Sequence, residues 1–137
     1  MIKAHIYTIG KSKETWLNAA LSEYEKRLQG RIQIQWILVS DDAELIKQTS
    51  AEPHLIALDV QGLLLSSEAL SQKLVQAGSR LAFVIGGAPG LPPAILAKAK
   101  WRWSLSPLTF THQMTRLILL EQLYRAYEIE RKSPYHK

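Results

Sequence analysis

The run LAFVIGGAPGLPP, residues 81–93, carries an apolar stretch straight into Gly86-Gly87 and Pro89-Gly90 before a new helical segment. Glycine has no Cβ and adopts positive φ at little cost, so a strand ending in glycines ahead of a helix lets backbone come close to a ligand. Two other segments offer comparable chemistry: Leu58-Asp59 with Gln61-Gly62, and Ser104-Leu105-Ser106-Pro107. Together the three supply close backbone approach, hydroxyls and free backbone donors and acceptors, which are the groups that a small polar ligand needs. Familiar site patterns fail on them. No Lys-Ser/Thr follows the glycines, as a P-loop requires, and their spacing is not G-x-G-x-x-G. Taken singly, Pro89-Gly90 reads as a turn and Pro92 or Pro93 as a helix start. No Ser-His-Asp set, H-E-x-x-H or paired-carboxylate pattern stands out. The chain has no cysteine, which excludes disulfides, thiolate zinc sites and a Cys nucleophile.

The elements that must position these groups follow from periodicity. Strand-like runs at 3–9, 31–39, 54–59, 81–85 and 101–105 alternate with helical patterns at 13–28, 41–50, from about Ser66, after Pro92, and from Thr111 to about Arg131. Alternation with long crossovers predicts a single α/β domain with a mostly parallel sheet. The third and fourth strands are nearly all apolar, as strands covered on both faces are. In such sheets a ligand sits beyond the carboxyl ends of the strands, where all three candidate segments fall. Trp101 and Trp103 alternate onto one strand face with Leu105, which predicts core packing over nucleic-acid stacking. His5 and His54 read as structural or incidental.

The chain of 137 residues has the length of one domain, and 47% hydrophobic residues suffice for an ordinary core. No apolar run is long enough for a membrane span, and MIKAHIYTIGKSKE lacks the apolar core of a signal peptide, so a cytoplasmic location is expected. The formal charge of +5 is placed unevenly: residues 1–96 balance, while residues 97–137 carry eight Lys/Arg against three Glu. A polyanion such as RNA is a reasonable partner for that end.

The same end holds the remaining polar candidates. Thr111 is placed to cap a helix that is apolar nearly all round between Leu117 and Leu120, so more than one side is covered, as a subunit interface would do. His112 with Arg116, and Glu121 with Arg125, are i,i+4 neighbours, for which a solvated helix face is the ordinary reading. The chain then finishes in Ser133-Pro134-Tyr135-His136-Lys137, an aromatic, an imidazole and a cation on what position alone would make a disordered tail.

The combination of LIALDVQG, FVIGGAPGL, WSLSPLTFTHQMTRLILLEQLYRAY and the terminal PYHK, with IYTIGKSK and the helix bearing Tyr24, resembles the ribosomal RNA large subunit methyltransferase H family of SPOUT methyltransferases over nearly the whole chain. The resemblance implies an α/β domain with a C-terminal trefoil knot, although general topology rules disfavour knots. It implies a homodimer that binds S-adenosylmethionine in the knot, uses no metal, and methylates N3 of a pseudouridine in the helix 69 loop of 23S rRNA on the assembled ribosome. Carried over by position, the cofactor contacts are Leu58, Gly86, Leu105, Ser106, Pro107, Leu108, Thr109 and Phe110. His136, Tyr135 and Arg116 are the catalytic candidates, with Arg125 and Lys137 toward RNA, and the tail is expected to act across the dimer on the partner's pocket.

The residue inventory suits that chemistry. Methylation at pyrimidine C5 ordinarily needs a Cys nucleophile, whereas N3 needs loss of its proton and in-line approach to a methyl donor. Positioning, a general base and a cation near the deprotonated ring then carry the work. An imidazole such as His136 is suited to moving that proton. Arg116, Arg125 and Lys137 suit phosphates or uracil oxygens, and Tyr135 suits stacking on an exposed base. One segment departs from the family: VSDDAELIKQTSAEPH, residues 39–54, is short and begins acidic where relatives are longer and basic, which implies weaker or different docking on the ribosome. The alternatives are a SPOUT enzyme for another rRNA or tRNA nucleotide and a non-catalytic ribosome-binding protein.

Overall fold

The computed structural model describes residues 1–11 and 13–137; Ser12, inside the quoted IYTIGKSK, lies outside them. The elements run β1 (Ile2–Ile9), α1 (Thr15–Leu28), β2 (Ile32–Val39), α2 (Asp42–Thr49), β3 (Leu55–Leu64), α3 (Ser67–Gln76), β4 (Arg80–Ile85), α4 (Pro93–Lys98), β5 (Trp101–Ser104) and α5 (His112–Glu130). Five strands form one sheet in the order β2-β1-β4-β3-β5, and every pairing is parallel.

Alternation in β4 builds a core on each face of the sheet. Leu81, Phe83 and Ile85 point to one side, where Ile6, Leu17, Leu21 and Leu28 of β1 and α1 meet Leu119, Leu120 and Leu123 of α5. Ala82 and Val84 point to the other, against Leu45 of α2 and Ile95 of α4. Burial on both faces is why a strand of LAFVI composition sits centrally and Trp103, 3% exposed, packs against Phe83. The apolar stripe of α5 is largely covered from within the chain, by α1 and α3.

Two local features differ from the periodicity. The third strand does not end at Asp59 but continues to Leu64, and both Leu58 and Leu63 pair with Trp103 across a register shift. The excursion between them needs glycine, because a Cβ on Gly62 would lie 2.6 Å from the Arg102 carbonyl carbon. At the other end of the chain, α5 closes with Lys132 at φ 59. The Lys132 amide donates to the Ile129 carbonyl and the Ser133 amide to that of Glu128, both at 3.0 Å, a Schellman turn with lysine where glycine is usual.

Candidate active site and tail cluster

Beyond the carboxyl ends of β3, β4 and β5 opens a cavity of about 560 Å³, a volume within the range of cofactor sites. Its walls come from the three expected strand ends and from the first turn of α5. Of the eight residues expected to hold a cofactor, Leu58, Gly86, Leu105, Ser106, Leu108, Thr109 and Phe110 line it, and Pro107 does not. Periodicity missed Leu91 and the turn Thr111, His112, Gln113 and Thr115. The signal was present in Thr111, whose hydroxyl accepts from the Met114 amide at 3.2 Å and so starts α5 at the cavity rim.

Hydrogen bonds within the loop set its shape. The Ser104 hydroxyl donates to the Ser106 carbonyl and the Ser106 hydroxyl accepts from the Leu108 amide, each at 3.0 Å. Gly86 and Gly87 play different parts. A Cβ on Gly86 would meet the Gly90 carbonyl carbon at 2.8 Å and its oxygen at 2.9 Å, so that glycine is required by the chain's own turn. A Cβ on Gly87 would meet nothing closer than Pro89 at 3.8 Å, and Gly87 is the backbone open to a ligand. The turn is closed by a bond from the Gly90 amide to the Gly87 carbonyl at 3.0 Å.

Arg116 turns inward, against the solvated-face expectation. It is 1% exposed, donates from Nη2 to the Ile9 carbonyl at 3.0 Å, and lies 3.3–3.4 Å from the Thr8 hydroxyl through Nη2 and Nε. Burial lowers its pKa, opposed by the charge of Glu14. Among the described residues, Arg116 Nη1 and Glu14 Oε2 are both buried without a hydrogen-bond partner. Arg116 does not line the cavity.

The tail, expected to be disordered on position alone, is docked on α5. Tyr135 donates to Glu121 at 2.8 Å, its ring meets Tyr124 edge-on at 4.7 Å, and the Arg125 guanidinium carbon lies 4.8 Å above it. Glu121 also holds Arg125 at 3.1 Å, as the i,i+4 spacing predicted. Arg125 Nη1 is 3.0 Å from His136 Nδ1, and since a guanidinium only donates, Nδ1 is the acceptor. That leaves the proton on Nε2, which faces Glu68 at 3.4 Å. None of Tyr135, His136 and Lys137 lines the cavity of its own chain. His5, read as structural, bonds through Nδ1 to the buried Glu52 at 3.0 Å.

Comparison with known proteins agrees with this geometry. A family model described as "Predicted SPOUT methyltransferase" matches residues 2–136. The chain is 50% identical over 141 residues, the full length of both, to a ribosomal RNA large subunit methyltransferase H of Protochlamydia amoebophila, and 42% identical over 156 residues, again full length, to one of Legionella pneumophila. Among solved structures it resembles a probable methylase family protein from Haemophilus influenzae (TM-score 0.64, 13% identity, 94% of this chain and 66% of that one). It also resembles a putative methyltransferase from Legionella pneumophila solved with bound SAM (TM-score 0.52, 10% identity, 92% and 66%). With an all-parallel α/β sheet, a cavity at its carboxyl edge and full-length relatives of one kind, the chain belongs to the ribosomal RNA large subunit methyltransferase H family of SPOUT methyltransferases.

Proposed function

We propose that the protein uses S-adenosylmethionine to methylate N3 of a pseudouridine in the helix 69 loop of 23S rRNA on the assembled ribosome, acting as a knotted homodimer. The observation that carries this reading is the convergence of seven family-expected residues on one cavity while the polar tail stays outside it. A site whose cofactor walls and reactive side chains lie apart in one chain is completed by a second copy, with the tail serving the partner's cavity. The trefoil knot belongs to the same reading: β5 lies outside β3 at the sheet edge, and α5 returns across the sheet to pack on α1 and α3.

The cavity residues fit the cofactor. Leu58, Leu105 and Phe110 offer apolar cover for a flat ring, and Gly87 gives backbone approach without a Cβ in the way. When bound, adenosylmethionine would supply an electrophilic methyl group to the nitrogen brought into line with it. The chain's own residues then have three tasks. The cavity walls hold donor and acceptor in line. Tyr135 stays a neutral phenol, since burial and then Glu121 push it up to about 12, and it positions the base by contact. Arg125 shields the Nδ1 lone pair of His136 in the free protein. Transfer of that guanidinium to a uracil oxygen stabilises the N3 anion and frees Nδ1 to take the proton.

Titration calorimetry with adenosylmethionine tests the enzyme reading against that of a non-catalytic ribosome-binding protein. Saturable binding at one site per chain is expected, and no heat of binding would contradict it.

A further inference from the structure

A second polar cluster lies at the far end of α5, away from the cavity. Glu128 is 3% exposed and accepts from Arg31 at 2.8 Å, Arg131 at 2.5 Å and Tyr124 at 3.0 Å. One buried carboxylate thus gathers Arg31, from the turn between α1 and β2, with Tyr124 and Arg131 from the end of α5. Over that cluster lies Arg27, whose guanidinium carbon is 4.9 Å from the Tyr24 ring centroid and 5.7 Å from that of Tyr124. Its carboxylate neighbour is Glu23, and the two side chains are 40% and 52% exposed, so the pair contributes little and leaves donors free for another anion.

Lys132 adds an independent observation. It is exposed and holds φ 59 at the end of α5, a conformation that costs a lysine roughly 1 kcal/mol relative to glycine. A cation standing where glycine is the cheaper residue points to a use for the charge. Arg27 pairs with Glu23, and Arg31 and Arg131 share Glu128, so three guanidinium groups meet two carboxylates and the cluster is net cationic, with exposed Lys132 next in the chain after Arg131. Planar guanidinium groups held against tyrosine rings suit phosphates and unstacked bases together, which is the chemistry of RNA and not of an acidic protein surface.

We propose that this face is an RNA-binding platform, with Arg27 and Lys132 contacting phosphates that flank the methylated nucleotide. The proposal rests on the rRNA substrate inferred above and adds where that RNA is gripped.

The test compares wild type with the double variant Arg27→Gln, Lys132→Gly, on ribosomes lacking the modification, across about 50–200 mM KCl. Two lost phosphate contacts make the salt slope of binding shallower by about two and raise Kd and KM roughly tenfold, with kcat at saturation unchanged within about twofold. Thermal stability does not fall, because glycine relieves the φ of Lys132. Unchanged affinity and slope overturn the platform. A weaker affinity with an unchanged slope also overturns it, since that is the mark of an uncharged contact to a ribosomal protein. If wild type methylates and the variant matches it, the platform alone fails; if wild type binds adenosylmethionine and leaves rRNA unmodified, the substrate reading fails and the platform with it.

Discussion

The Tyr135 hydroxyl lies 2.8 Å from a carboxylate oxygen of Glu121, and that bond folds the C-terminal tail back onto the helix it leaves. The same carboxylate holds Arg125 at 3.1 Å, and Arg125 in turn reaches His136. Four side chains proposed for RNA chemistry or its support therefore form one network before any substrate arrives. Preorganisation of this kind lowers the ordering cost at the moment of binding.

With Tyr135 proposed as a neutral anchor, Tyr135→Phe keeps the ring contact with Tyr124 and loses only the bond to Glu121. Its kcat falls about tenfold or less, while Tyr135→Ala falls about a hundredfold by releasing the tail. Methyl transfer measured across the pH range gives the same profile shape for Tyr135→Phe as for wild type. A limb that vanishes in Tyr135→Phe would assign the tyrosine an acid or base role instead.

Gly86→Ala and Gly87→Ala separate fold from ligand approach. The added methyl at residue 86 collides with the Gly90 carbonyl, so Gly86→Ala lowers the melting temperature and weakens adenosylmethionine together. Gly87→Ala leaves the melting temperature near wild type and weakens the cofactor about tenfold or more by intruding on the cavity. Calorimetry and thermal melts on both variants check the pair.

Glu128 makes stability acid-sensitive. Its bond to Arg131, then those to Arg31 and Tyr124, pull its carboxyl down to about 2 although burial opposes them. A depressed carboxylate stabilises the fold fully above its ordinary value of 4.5, and that contribution disappears as pH falls from there through about 2. Urea titrations at pH 5 and pH 2 show wild type losing on the order of 2 kcal/mol more than Glu128→Gln over that range.

Mixed dimers test the shared site. A Gly87→Ala chain mixed one to one with a His136→Ala chain forms heterodimers in which one cavity and one tail remain intact. If the tail serves the partner's cavity, about a quarter of wild-type activity returns on random exchange, because half the dimers carry one good site of two. No recovery would place tail and cavity in the same chain.

Much of the fold was legible because it rests on local signals. Alternating periods of two and 3.6 mark the strands and helices, and the apolar LAFVI run marks a strand buried on both faces. The continuation of β3 through Gln61-Gly62 was not legible, since two residues with the character of a turn are held in the strand by pairing with β5, forty residues away. The burial of Arg116 was not legible for a similar reason: a guanidinium on a helix reads as solvated, and its burial depends on acceptors at Thr8 and Ile9, at the far end of the sequence. Gly86 was read as a glycine that lets a ligand approach, whereas a Cβ there is barred by its own Gly90 turn. The docked tail could not be read from position, because Glu121 and Arg125 become its partners only once the chain reverses at Ser133.

The most direct test of the account is nucleoside mass spectrometry of 23S rRNA after purified protein and adenosylmethionine are mixed with ribosomes lacking the modification, with His136→Ala run beside it. Wild type is expected to give new N3-methylpseudouridine from the helix 69 loop, and His136→Ala a severe loss of it. Cofactor binding without any new methyl group on that nucleotide would contradict that expectation and leave a SPOUT enzyme for another RNA, with the acidic 39–54 segment as the first place to look.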